Sequence, residues 1–490
     1  MKKLLVIVLM FVAVSVNAQW VNYTLPFDGQ IYTLGFANVS TGVACGNTIM
    51  PYTARYFYTS NAGINWVIST FPSTIRSTAD VQFINSTLVY GGGAENIALK
   101  SLKNSNHLFL HLPEYIRNKF ISKEITDYSA EYKTAFLKST NAGASWQKVS
   151  TFDTLTGYMN NIHFFDANTG YALIDSNSAG STRLYKTTNA GVNWQLIRTV
   201  EFGTELDNMH FFDMNTGFVS GIANIGNPGS YGVIFKTTNG GVNWVKTSFP
   251  RIDVLEDFTF FNATTGVAFG TSGDVLLSDP IKTTIYRTTN AGAQWDSVTS
   301  KLNRIFINLE CLPSTGTAFG VGNLIDTIEF FANIATIKTT NYGASWDEKV
   351  LSQHTYGIGL SLIDQNNFMM SGGDLNVTPS IPRIFKSTNG GNVFVNQTGS
   401  EIPSTYSLSQ NYPNPFNSSS KFKFEIAKLG NVKIIVYDVQ GREVQTLVNE
   451  RLNAGTYEAR FDGSGLTSGV YFYRIVTERF SETKRMIMKK

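Results

Sequence analysis

A nine-residue phrase, Lys186-Thr187-Thr188-Asn189-Ala190-Gly191-Val192-Asn193-Trp194, returns along this chain at a nearly fixed spacing. Variants of it occupy 59–66, 139–146, 237–244, 288–295 and 339–346, with a decayed copy at 387–394. All seven keep Ser/Thr-x-Asn-x-Gly, and six end in Trp66, Trp146, Trp194, Trp244, Trp295 and Trp346; the seventh has Phe394 instead. The asparagines are Asn61, Asn141, Asn189, Asn239, Asn290, Asn341 and Asn389, so five of the six intervals are 48 to 51 residues and one is 80. A period near 50 matches one four-stranded propeller blade, a sheet that cannot cover its own faces and therefore stacks on copies of itself.

A second phrase precedes each copy. It is clearest as Phe164-Phe165-Asp166-Ala167-Asn168-Thr169-Gly170, as Phe211-Phe212-Asp213-Met214-Asn215-Thr216-Gly217, and from Phe260 to Gly266. Weaker versions start at Phe36, Phe83, Leu309 and Leu362. The pairing of phrases defines seven units of four strands; in the third these are expected near 161–165, 170–174, 183–187 and 193–198. The Asn phrase reads as the hairpin between the third and fourth strands. Asn accepts nearby backbone N–H groups and tolerates the left-handed region, Gly supplies positive φ, and the Ser/Thr hydroxyl closes the loop. Trp is expected to bury its ring between blades. Trp20-Val21-Asn22-Tyr23-Thr24 resembles a fourth strand with no first three before it. It is therefore expected to complete the last blade and close the ring, displacing the degenerate strand near Phe394.

Ser/Thr-x-Asn-x-Gly-x-x-Trp resembles the Asp-box of sialidase and sortilin-like propellers, with Asn in place of Asp. The two phrases together are similar to the photosystem II stability/assembly factor family of seven-bladed propellers, over roughly 20–398. That resemblance implies an all-β fold in which the repeated Asn and Trp residues are scaffolding. Loops built on Asn also lack the negative charge that a calcium array needs, so no metal and no cofactor is expected.

The first residues, Met1-Lys2-Lys3, an apolar run over 4–16 and Val16-Asn17-Ala18, have the layout of a secretory signal covering 1–18. Thirteen apolar residues are too few to cross a bilayer, and no later segment is long enough, so no transmembrane segment is expected after signal cleavage. Cys45 and Cys311 make no disulfide framework and read as small buried hydrophobes. The net charge of +3 is concentrated in the tail, which leaves a mildly acidic body. Such a body lacks the electrostatic footprint of a nucleic-acid binder.

The 80-residue interval places an insertion at about 94–130, between the second and third strands of unit two. Long loops on a rigid scaffold often bind partners, though a hairpin that only thickens the rim is equally consistent. After the propeller, taken as 19–398, comes a linker at 399–411 and then a run of short strands over 412–490 that suits an immunoglobulin-like sandwich. The phrases Tyr412-Pro413-Asn414-Pro415-Phe416-Asn417, Val436-Tyr437-Asp438-Val439-Gln440-Gly441-Arg442, Ser468-Gly469-Val470-Tyr471-Phe472-Tyr473-Arg474 and the basic end 484–490 resemble the type A C-terminal sorting domain of type IX secretion. The resemblance implies Bacteroidetes-type cargo that passes through the periplasm, engages the type IX machinery through its tail, and ends secreted or on the outer-membrane surface. Gly469, Tyr471, Lys484, Arg485 and Lys489 are the residues of that signal singled out here.

Chemistry is harder to find. His107, His111, His163, His210 and His354 show no ligand set beyond the first pair, which has no third partner. Carboxylates that could line the face opposite the Asn hairpins are Glu205, Asp207, Asp253, Glu256, Asp257, Asp274, Asp279 and Asp326. Two of them at glycosidase separation could cleave sugars. Arg76, Arg183, Arg251 and Arg383 lie on loops that suit a sialidase-like clamp, yet the Phe/Tyr-Arg-Ile-Pro signature is missing. The expectation is a seven-bladed β-propeller followed by an immunoglobulin-like β-sandwich, acting as a non-catalytic binder of an unknown protein or glycan. Tyr158, Tyr231, Arg251, Phe330, Phe331 and Tyr356 are its candidate contacts. A secreted sialidase-like glycoside hydrolase and an assembly factor for other exported proteins are the alternatives.

Overall fold

The computed structural model describes residues 20–25, 27, 29–48, 53–99, 130–176, 181–199, 204–223, 230–249, 252–273, 280–325, 332–352, 355–374, 381–387, 395–399, 403–428, 430–452, 454–463 and 466–490. Every regular element among them is a strand. The chain divides into two compact units, one of which is Asn22–Lys386 while the other contains Ser387–Lys490.

In the first unit the strands form seven antiparallel blades of four. Blade 4 shows the plan: Thr204–Phe211, Gly217–Ala223, Tyr231–Thr237 and Val245–Phe249 pair in sequence order. The innermost strands of the seven blades are Gly29–Phe36, Ile75–Phe83, the second half of Gln147–Phe164, Thr204–Phe211, Val254–Phe260, Arg304–Leu312 and Thr355–Leu362. Each packs against the innermost strands on both sides, and the last packs against the first, so the circle is closed. In blade 3 the expected strands appear as the end of Gln147–Phe164, Gly170–Ser176, Ser181–Thr187 and Gln195–Thr199. Gln147–Phe164 is at once the outer strand of blade 2 and the innermost strand of blade 3.

The seventh blade is completed by the N-terminal strand Trp20–Thr24, which pairs with Ile381–Ser387 as the phase of the repeat requires. Leu25 N–H donates to Pro382 O just beyond it (3.2 Å). The segment after the decayed Asn phrase, Val395–Gly399, lies in the sandwich instead, paired with Gly455–Asp462. This differs from the expected boundaries, in which residues to 398 belong to the propeller and 399–411 is a linker. A strand's sheet is chosen by its partner's edge, and that partner lies some sixty residues downstream.

The Asn phrases are hairpins of one repeated design. In blade 3, Thr187 Oγ1 donates to Asn189 Oδ1 (3.0 Å) and accepts from Gly191 N–H (3.0 Å), while Asn193 N–H donates to Asn189 Oδ1 (2.9 Å). Ala190 and Gly191 both take positive φ, at 60° and 78°. A Cβ on Gly191 would lie 2.1 Å from the Phe136 ring of blade 2, so the position demands glycine twice over. The same bonds recur at Thr59, Ser139, Thr237, Thr288 and Thr339. The residue after each of these six Asn residues also donates its N–H to the turn between the first two strands, as Ala190 does to Asn168 O (2.9 Å). That turn is tied in turn by its own side chain, Asp166 Oδ1 accepting from Thr169 N–H (2.8 Å). Of the six tryptophans that end the phrases, Trp146 and Trp295 are buried and Trp66, Trp194, Trp244 and Trp346 half-buried. Trp194 meets Phe136 of the preceding blade edge-on at 5.2 Å.

The lysine that opens the phrase has a use of its own. Lys236 Nζ lies 5.6 Å from the centroid of the Phe218 ring and donates to Ala291 O of the next hairpin (2.8 Å). Arg287 Nε donates likewise to Tyr342 O (2.6 Å). Lys386 Nζ donates to Ala62 O (3.1 Å), which carries the stitch from blade 7 to blade 1.

The insertion begins as a continuation of the ladder. Val89–Leu99 and Ala130–Ser139 stay paired out to Leu99↔Ala130; the residues between lie outside the described set, as do 1–18 and Asn389.

The second unit is a sandwich of two four-stranded sheets. One orders Val395–Gly399, Gly455–Asp462, Ser419–Ile426 and Ser407–Leu408; the other orders Glu443–Leu452, Gly430–Tyr437, Gly469–Thr477 and Ser481–Met488. Alternation fills its core: Phe422, Phe424 and Ile426 from one sheet face Val432, Ile434, Val436, Tyr473 and Ile475 from the other.

Candidate functional site: the axis of the ring and the terminal strand

The innermost strands share a feature that residue patterns did not reveal: each carries a bulge at the same height. The register slips between Ile31 and Thr33, Thr78 and Val81, Leu206 and Asn208, Leu255 and Asp257, Phe306 and Asn308, and Gly357 and Leu360, and in blade 3 around Asn160. Bulges re-aim side chains. Those beside the slips differ around the circle. Asn160, Asp207 and Glu256 make blades 3 to 5 polar, whereas Tyr32 and Ile307 pack with Ile281, Ile305, Tyr356 and Ile358 into an apolar sector.

Polar side chains of one innermost strand reach the backbone of a neighbour. Ile162 N–H donates to Asp80 Oδ2 (3.2 Å) and Phe164 N–H to Gln82 Oε1 (2.7 Å). Asn160 Nδ2 donates to Leu206 O (3.0 Å) and to Asp175 Oδ2 (3.0 Å), and Asn208 Nδ2 to Glu256 O (2.6 Å). Leu309 N–H donates to Asp257 Oδ2 (2.7 Å) and Leu362 N–H to Glu310 Oε2 (2.7 Å). Cys311 joins the same system, its thiol donating to Phe260 O (3.1 Å). It is therefore half-buried and polar in its contacts, unlike the fully buried Cys45, and burial pushes its pKa up to about 11.

Enclosure between blades shifts these groups. Burial raises Asp80 to about 6, against the pull of the Ile162 and Val81 N–H groups and the Thr33 hydroxyl. Burial likewise raises Asp257 to about 7 and Glu256 and Glu310 to about 8. Repulsion adds to it: Asp80 and Asp257 each raise Glu310, and Asp80 and Glu256 raise Asp257. These four side chains are half-buried, and the density of protein around them leaves their charge poorly solvated. His163 and His210 are pushed the other way, by burial, to about 4 and about 3, with ring centroids 6.2 Å apart. Both are neutral at pH 7.

The structure disperses the remaining sequence candidates. Asp253 is exposed and accepts from Gly273 N–H (3.0 Å). Glu205 and Asp207 are half-buried in the innermost strand of blade 4; Arg76 is exposed, and Arg183 and Arg383 are half-buried in third strands. Tyr231 is half-buried beneath Lys246, whose Nζ lies 5.3 Å from its ring centroid. Tyr356, expected among the ligand contacts, is 2% exposed; its ring fills the apolar sector and offers no face to a ligand. Asp274, Asp279, Asp326, Arg251, Phe330, Phe331, His107, His111, His354 and the side chain of Tyr158 lie outside the described residues. Among the described residues no group of three or more His, Cys, Asp or Glu is placed to hold a metal ion. No described helix is long and apolar enough to cross a membrane.

In the sandwich, phrases that are far apart in sequence converge on the terminal strand Ser481–Met488. Phe416 N–H donates to Ile487 O (3.0 Å), Lys489 N–H to Phe416 O (2.8 Å), Ile487 N–H to Asn414 Oδ1 (2.9 Å) and Gln410 Nε2 to Arg485 O (2.7 Å). Gly469 pairs with Met488 at the exposed start of the neighbouring strand. Tyr471 is buried with its hydroxyl on Thr467 O (2.8 Å). Lys484 bridges to Glu482 (3.0 Å), while Arg485 and Lys489 are exposed.

Comparison with known proteins agrees with this division. Residues 410–489 match the family model of the secretion system C-terminal sorting domain. The chain thus carries a sorting tail of the type IX kind behind a propeller. No curated protein sequence matches the chain. Among solved structures it is similar to YCF48 from Cyanidioschyzon merolae, at 13% identity and a TM-score of 0.50, covering 76% of this chain and 98% of that one. It is also similar to YCF48 bound to D1 peptide, at 13% identity, a TM-score of 0.49, and coverage of 76% and 96%. A GH74 xyloglucanase from Xanthomonas campestris aligns at 9% identity and a TM-score of 0.36, over 95% of this chain and 93% of that one. At such identities the likeness is one of fold.

Proposed function

We propose that the chain is a secreted or cell-surface, non-catalytic propeller that binds a protein or glycan on the face opposite the Asn hairpins, delivered through the type IX machinery by its tail. The observation that carries this reading is the employment of the axial acids. Asp257 accepts Leu309 N–H on one oxygen and its neighbour Phe258 N–H (2.7 Å) on the other, Asp80 is engaged in the same way by Ile162 and Val81 N–H, and Glu310 accepts Leu362 N–H on one oxygen. A carboxylate so occupied holds blades together and is poorly free to protonate a leaving group or activate water. Tyr231, Tyr158, Arg251, Phe330 and Phe331 are the proposed contacts, with the 94–130 insertion as a further proposed contributor.

Two measurements test the reading. Incubation with a panel of polysaccharides and sialosides should release no reducing sugar or sialic acid; release that disappears in Asp257→Asn would install the hydrolase in its place. Fusing residues 395–490 to a signal-bearing reporter should send it to the outer surface or the medium, and the same fusion lacking 484–490 should stay in the periplasm. A reporter that reaches the outside without the tail would remove the export half of the proposal.

A further inference from the structure

Blade 7 has two candidate outer strands. Trp20-Val21-Asn22-Tyr23-Thr24 occupies the place, but Phe394-Val395-Asn396-Gln397-Thr398 stands in the outer-strand phase of the seventh repeat, three residues after Gly391 as Trp194 is after Gly191. The two segments agree at Val21 and Val395, Asn22 and Asn396, and Thr24 and Thr398, and each begins with an aromatic residue. The hairpin needed to turn Ile381–Ser387 into the second candidate is also present in sequence, as Ser387-Thr388-Asn389-Gly390-Gly391. Yet Val395–Gly399 is an edge strand of the sandwich, with Val395, Asn396 and Gln397 opposite Ala459, Glu458 and Tyr457.

We propose that Trp20–Thr24 and Val395–Gly399 are interchangeable occupants of the outer edge of blade 7, so that closing the ring and completing the tail's sheet are coupled through one strand. Main-chain pairing is indifferent to which segment supplies it, and matched side-chain alternation fits both to the same edge. While Trp20–Thr24 holds the blade, Val395–Gly399 is released to finish the sheet built on Gly455–Asp462. If the N-terminal strand is withdrawn, the repeat's own strand returns to the blade and the tail loses an edge.

Hydrogen exchange of the full chain reads this directly. With Asn22→Pro and Tyr23→Pro together, adjacent positions of which one must direct its N–H at Ile381–Ser387, the amides of Ile381–Ser387 should stay protected while those of Gly455–Asp462 that face the edge exchange roughly tenfold faster or more. Loss of protection in Ile381–Ser387 with Gly455–Asp462 unchanged would overturn the proposal. A second chain keeps both strands and replaces the directly opposed pair Asn396→Cys and Glu458→Cys. Oxidation ties the competitor to the tail, so exchange at Trp20–Thr24, which the competitor can no longer displace, should slow by roughly tenfold and recover on reduction. Equal rates at Trp20–Thr24 in the two redox states would also overturn it, and this second measurement decides the matter if the proline variant does not fold.

Discussion

The rim of Asn hairpins and the axis of the ring both join one blade to the next, but they do so by opposite strategies. At the rim the same residues do the same job in each of the six described copies: a Ser/Thr hydroxyl, an Asn carboxamide, a positive-φ pair and a glycine seated on the preceding blade. Along the axis the task is constant and the residue changes, with Asp80, Gln82, Asn208, Asp257 and Glu310 each reaching the main chain of a neighbouring blade. A tight hairpin leaves few chemical solutions, since each φ and each N–H must be met locally. A side chain spanning a gap between strands has several. The axis is therefore where a propeller can vary its electrostatics without losing its closure.

The largest effect expected from that contrast is collective and depends on pH. Asp80, Asp257, Glu256 and Glu310 all titrate higher in the folded ring than in an unfolded chain, so folding takes up protons. The stability they contribute is fully present below the ordinary carboxyl range and is lost as pH rises through about 6 to 8. His163 and His210 act in the opposite sense: with folded values depressed from 6.5 to about 4 and about 3, the unfolded chain takes up these protons first, so their contribution is lost as pH falls from about 6.5 through about 4 to 3. The thermal midpoint should therefore fall between pH 5 and pH 8, and Asp257→Asn should flatten that decline; a midpoint indifferent to pH would mean that the axis is well hydrated.

Single changes at the rim should come next. Gly191→Ala combines a strained φ with a collision against Phe136, and should cost about 2–4 kcal/mol in urea unfolding. Thr187→Val leaves the Gly191 N–H without its acceptor and should cost about 1–2 kcal/mol. Asn262→Ala, which frees only the exposed turn N–H groups of Thr264 and Thr265, should cost about 0.5–1 kcal/mol. If Asn262→Ala matched Gly191→Ala, the idea that the rim's rigidity lies in its glycines would fail.

The same contrast explains what could be read in the sequence. The rim was legible because its chemistry repeats, and with it the blade count, the hairpins and the closing role of Trp20–Thr24. The axis was not. Tyr32, Asn160, Asp207, Glu256 and Ile307 sit at equivalent bulges but share no residue type, so no pattern marks them. Asp257 could be named as an acid, while its use as a fastener required the neighbour's backbone. Lys236 and Arg287 were visible as the opening of the phrase, and their reach to the next hairpin was hidden for the same reason. Val395–Gly399 was misplaced because its own residues do read as a blade strand.

Pairing Trp20–Thr24 with Ile381–Ser387 also sets an order of events. The two halves of this latch are among the first and the last parts of the ring to be made, so six blades can assemble progressively while the seventh waits for nearly the whole chain. Contacts so distant in sequence form slowly. The circle therefore stays unfastened until its last blade has been made.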